Sequence, residues 1–109
     1  MTASQNIFDW TEADFLTTLK NAANTAQLTT VGEVSFSFQP QGISAVILLK
    51  ESHVALHFWP EAGKISIDIH VCDYQQYNYI KAEILAKLLA FQVSENDSIE
   101  HWKYLFITG

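Results

Sequence analysis

The stretch LLKESHVALHFWPEAGKISIDIHVCDY, residues 48–74, holds the only cysteine of the chain, Cys72, with Ser52 and the histidines His53, His57 and His70. These residue types are the ordinary stock of covalent and acid–base chemistry. An imidazole exchanges protons near neutral pH, and a thiol serves as nucleophile or proton donor. Strand parity decides which of them can meet. In HVALHFW, His53, Ala55, His57 and Trp59 face one way. In KISIDIHVC, the set Ser66, Asp68, His70 and Cys72 lies opposite Ile65, Ile67, Ile69 and Val71. Titratable groups of two successive strands can thus share one face, which makes that face a candidate site. The same pattern fits a polar interface between subunits.

Each residue also has a plainer role. A lone cysteine usually packs as a small hydrophobe. A strand histidine is usually structural, and a serine between two strands is usually a turn residue. Glu61 after Trp59-Pro60 reads as a solvated turn carboxylate, and Phe38 beside Pro40 as a core aromatic. A Cys–His nucleophile pair has no obvious oxyanion hole here. His53, His57, His70 and Cys72 match no compact zinc spacing, so no metal is assigned. There is no glycine-rich phosphate loop.

The elements that must position these residues are legible from periodicity. Thr11, with Asp14 three residues on, resembles a capping box, and Phe15, Leu19, Ala22 or Ala23, and Ala26 follow at helical spacing. A first helix is expected over about Thr11–Ala26, after a loose arm at residues 1–10. EVSFSFQ alternates, with Val34, Phe36 and Phe38 opposite Glu33, Ser35 and Ser37. Pro40 and Gly42 mark a turn. Strands are expected over Ser44–Lys50, His53–Trp59 and Lys64–Cys72, with PEAG as a further turn. YNYIKAEILAKLLAF is a second helix with Ile80, Ile84, Leu88 and Phe91 as its apolar stripe, and IEHWKYLFI closes the chain as a strand. The order is roughly αβββαβ. This predicts an α+β fold, a two-layer sandwich with two helices on one face of an antiparallel sheet. The other face still carries aromatics, so a homodimer packed sheet to sheet is expected.

Composition bounds the function. At 109 residues the chain is expected to form a single domain, 1–109. Twelve acidic against six basic residues give a formal charge of -6, which argues against nucleic acid or an anionic membrane as main partner. One cysteine allows no internal disulfide and suits a reducing cytosol. The start MTASQNIFDW lacks signal-peptide features, and no apolar run approaches the ~20 residues of a membrane span.

The segment Phe38–Cys72 resembles the S-adenosylmethionine decarboxylase proenzymes, especially the small prokaryotic type. The family pattern is roughly F-x-P-x-G-V-S, then E-S-H-x-x-x-H-x-W-P-E, then D-x-x-x-C. Phe38, Pro40, Gly42, Ser44, Glu51, Ser52, His53, His57, Trp59, Pro60, Glu61, Asp68 and Cys72 supply it in that order. The resemblance implies self-cleavage between Glu51 and Ser52, giving a β chain 1–51 and an α chain 52–109. Ser52 would become a pyruvoyl group, the cofactor, with Ser44 supporting the step and His57 taking the Cα proton. The pyruvoyl group would hold the substrate amine as a Schiff base and accept the electrons left by departing CO2. Cys72 resembles the proton donor to the product carbon. Phe38 resembles the aromatic that stacks on adenine, and Glu61 the carboxylate that binds the ribose hydroxyls. The implied substrate is S-adenosylmethionine, the implied pathway is spermidine and other polyamine synthesis, and the implied setting is cytoplasmic.

Three features depart from the pattern. The opening G-x-H-x-x-x-[DE] strand is missing, the residue after the cysteine is Asp73 rather than glycine, and the D-P-W-K-A helix start survives only as YNYIKA. A missing edge strand leaves its neighbour exposed. Two other readings stay open: a decarboxylase of ornithine or arginine on the same fold, and a non-catalytic homologue that regulates an active partner.

Overall fold

Thr11 caps the first helix as its sequence predicts. The computed structural model describes residues 1–50, 52–71 and 78–95. Helix α1 (Glu12–Thr25) starts with Thr11 Oγ1 accepting from the Asp14 amide at 3.2 Å, while the Asp14 carboxylate accepts from the Thr11 amide at 2.8 Å. Both donors would otherwise lack a partner at a helix start. The strands are β1 (Thr30–Ser37), β2 (Ile43–Leu49), β3 (Ser52–Trp59) and β4 (Lys64–His70), followed by helix α2 (Asn78–Val93).

The sheet is antiparallel throughout, in the order β1-β2-β3-β4. Four strands separate the helices, where the order read from sequence had three. β2 and β3 are separate strands paired in register from Ile43↔Phe58 to Leu49↔Ser52, and the short helix Pro60–Ala62 with Gly63 links β3 to β4. The closing stretch IEHWKYLFI lies outside the described residues.

Both helices cover one face of the sheet. Ala45, Ile47, Leu49, Val54, Leu56, Phe58, Ile65 and Ile67 are buried there against Phe15, Leu19, Leu85 and Leu89. The two-layer α+β sandwich is therefore as expected. The contact of α1 with the edge strand is polar instead. Lys20 pairs with Glu33 at 2.9 Å, and the Glu12 carboxylate accepts from both Ser35 and Ser37 at 2.5 Å. Val34 and Phe36 consequently turn to the open face, where they are 61% and 60% exposed.

The two serine hydroxyls hold the Glu12 pKa below its ordinary value of 4.5. A carboxyl with a lowered folded-state pKa stabilises the fold above its unfolded pKa, and that contribution is lost as pH falls through the folded value. Urea unfolding measured from neutral pH downward should therefore show stability falling below about pH 4.5. In Glu12→Gln this part of the acid dependence should be reduced.

Two expectations are corrected. Residues 1–10 are not a loose arm. Met1 and Ile65 exchange backbone hydrogen bonds at 2.9 and 3.0 Å, and Ala3 donates to Gly63 at 2.9 Å. On the other side Ser4 donates to Val93 at 2.8 Å and Glu95 to Thr2 at 3.1 Å. The N-terminal residues thus lie between β4 and the end of α2, held by isolated bridges from Thr2 to Lys64 and from Ala3 to Ser94, with Ala3 and Ile7 buried. The apolar stripe of α2 is also displaced. Leu85, Ala86, Leu89, Ala90 and Val93 form its buried side, whereas Ile80, Ile84 and Phe91 face solvent. Leu88, between the two sets, is partly buried against the core.

Candidate active site

Ser44 on β2 and His57 on β3 are direct cross-strand partners on the open face of the sheet. Their side chains meet, with Ser44 Oγ 2.7 Å from His57 Nδ1. The Trp59 indole lies two residues along the same face, its ring 5.9 Å from the imidazole and tilted by 29°. Nδ1 is thus occupied, and Nε2 is the nitrogen left for chemistry. For Nε2 to act as a base, Nδ1 must carry the proton and donate it to Ser44 Oγ. A hydroxyl accommodates that tautomer, because it accepts as well as donates.

Ser52 is the first residue of β3 and pairs with Leu49 of β2. Its side chain points to the helix-covered face, where it is 8% exposed. Among the described residues its Oγ has no hydrogen-bond partner. A buried hydroxyl without a partner costs about 1–3 kcal/mol. Glu51 and Cys72 lie outside the described residues.

One protomer does not bring Ser52 and His57 together. They are five residues apart on a single strand, a separation of about 17 Å, and an odd spacing puts them on opposite faces. The expected common face of His53, His57 and His70 is present. His53 and His70 are cross-strand partners whose rings stack at 5.2 Å, while His57 sits four residues further along β3. No group of three or more potential metal-ligating side chains occurs among the described residues.

Phe38 is half exposed at the end of β1, edge-on to Phe36 at 4.9 Å. Its amide donates to the Gly42 carbonyl at 2.8 Å, closing the turn. Gly42 has φ 116°, and a Cβ there would stand 3.6 Å from Phe38 Cβ and 3.5 Å from the Phe58 carbonyl oxygen. This position needs glycine for its backbone, since a Cβ there would make only ordinary van der Waals contacts. Phe38 also lines a groove of about 310 Å³ with Phe8, Trp10, Phe58 and Pro60. Glu61 is exposed in the short helix after β3. Trp59 shares the open face with His57, as their parity in the sequence predicts.

A sequence profile described as S-adenosylmethionine decarboxylase matches residues 10–101. The chain belongs to the S-adenosylmethionine decarboxylase family. Its relatives in that family include the S-adenosylmethionine decarboxylase proenzyme of Aquifex aeolicus, 34% identical over 75% of this chain and 64% of that one. The proenzyme of Parasynechococcus marenigrum is 41% identical over 56% of this chain and 48% of that one. The crystal structure of the Aquifex aeolicus adenosylmethionine decarboxylase superposes with a TM-score of 0.56 at 28% identity, covering 85% of this chain and 81% of that one. The matches to these two curated proenzymes span between about half and just under two thirds of their lengths. No helix among the described residues is long and apolar enough to cross a membrane.

Proposed function

We propose that this protein is a self-processing, pyruvoyl-dependent S-adenosylmethionine decarboxylase that acts as a homodimer. The observation that carries the proposal is Ser52: a buried hydroxyl without a partner among the described residues, at the first position of β3. Its retention at a cost to stability is understandable if the oxygen is a nucleophile. Ser52 Oγ attacks the Glu51 carbonyl carbon, the peptide C–N bond breaks, and an ester and a free amine result. A base then removes the Ser52 Cα proton and the ester C–O bond breaks, releasing Glu51 as a carboxylate. Hydrolysis of the remaining enamine releases ammonia and leaves a ketone at residue 52. The pyruvoyl group supplies the electron sink for decarboxylation of an α-amino acid. Cys72 is assigned the proton donation to the product carbon.

His57 is assigned as the base, and its separation from Ser52 within one protomer supports assigning it to the second copy. A twofold axis running across the strands lays the β2–β3 turn of one copy against Ser44 and His57 of the other. The same packing covers Val34, Phe36 and Leu48, which are otherwise exposed. Phe38 and Glu61 are assigned to the adenine and ribose of S-adenosylmethionine, since processing requires neither. The product would feed spermidine synthesis in the cytosol, a compartment that suits a chain with one cysteine.

The test is CO2 release from carboxyl-labelled S-adenosylmethionine, ornithine and arginine by one processed preparation. Release from S-adenosylmethionine is expected. Phe38→Ala should raise KM by roughly fivefold or more, as expected for loss of about 1 kcal/mol of stacking, without slowing self-cleavage. Release only from ornithine or arginine would overturn the substrate assignment and leave the processing chemistry standing. Full cleavage with no release from any substrate would favour a regulatory homologue.

A further inference from the structure

Helix α2 is apolar on two sides. Leu85, Leu89, Ala90 and Val93 are fully buried beneath it, yet Ile80 is 56% exposed, Ile84 43% and Phe91 72%. With Leu88 they follow one another at spacings of four, four and three residues, forming a line about 16 Å long on the outer side of the helix layer. Single exposed apolar side chains are common. A continuous line of large ones on a helix that already buries its opposite side marks a docking surface. This line faces away from the sheet, so the dimer proposed above leaves it uncovered.

We propose that it docks on the same line of a second copy, with the two α2 helices antiparallel about a twofold axis. In that orientation the line is self-complementary. Ile80 meets Phe91 of the mate and Ile84 meets Leu88, and each contact is made twice. The charges agree with the shape. Glu83 and Lys87 flank the line on one side, and antiparallel packing sets each beside its opposite on the mate. In a parallel pair the flanks change partners and these two residues no longer face each other. A groove of about 370 Å³ beside Phe91, lined by Trp10, Thr18, Asn21 and Gln92, seats the mate's Ile80 end. A single helix pair lies at the small end of stable interfaces, so association should depend on concentration.

Sedimentation of the full chain over a wide concentration range tests this. Ile84→Glu, at an exposed position, should keep the wild-type circular dichroism and lower the mass at high concentration to that of the sheet-to-sheet dimer. Glu83→Lys and Lys87→Glu should each weaken association, and the double exchange should restore it. In a Phe36→Asp background, which removes the sheet-face contact independently, Ile84→Glu should halve the limiting mass. Equal masses for wild type and Ile84→Glu at every concentration would overturn the proposal and leave the line to another partner. Failure of the double exchange to recover association would overturn the antiparallel pairing with a second copy.

Discussion

Replacing Ser52 with alanine is expected to leave the chain whole and to abolish CO2 release from every substrate. No other side chain is in position to supply the hydroxyl of residue 52, so the loss should be complete rather than partial. The variant should nevertheless fold. The wild-type Oγ is buried with no partner among the described residues, and its removal relieves a desolvation cost of about 1–3 kcal/mol. Ser52→Ala should thus unfold at equal or higher urea than the uncut wild-type chain. That combination separates a lost nucleophile from a lost fold. A cut Ser52→Ala chain would place the nucleophile elsewhere.

His57→Ala is expected to slow self-cleavage by roughly 10²–10⁴-fold, the usual range for removal of a positioned base. Co-expression with Ser52→Ala should restore cleavage of the His57→Ala chain. Each His57→Ala copy keeps its own Ser52 and receives an imidazole from its Ser52→Ala partner. Within one protomer the two residues stand about 17 Å apart on opposite faces of a strand, so a chain acting alone cannot use its own histidine. Mass spectrometry of the mixed preparation, with one chain tagged, reads which chain is cut. Absence of rescue in a mixed dimer would contradict the shared site. Ser44→Ala should show a smaller defect of the same kind, since the hydrogen bond to His57 Nδ1 orients the base without being the base.

Where local chemistry alone decided the structure, the residues announced it. Thr11 and Asp14 mark the start of α1 because a helix start must satisfy its amides. The alternation of Ile65, Ile67 and Ile69 with Ser66, Asp68 and His70 marks β4 because only one side of the sheet is covered. Where two solutions met the local rules, the pattern did not choose between them. In α2, Ile80, Ile84 and Phe91 make as good an apolar stripe as Leu85, Leu89 and Val93, and packing against β4 and α1 selected the second. Met1–Ser4 is held largely by backbone hydrogen bonds, which carry little side-chain pattern. The order of the site residues in the family pattern carries no distance. The odd interval from Ser52 to His57 already held the missing fact, because alternation puts such residues on opposite faces.

Intact mass of the purified wild-type chain under denaturing conditions tests self-processing most directly. The expected result is two fragments, residues 1–51 ending in a free Glu51 carboxylate and residues 52–109 lighter by one ammonia than a chain beginning with serine. A single full-length species, unchanged after long incubation, would contradict it.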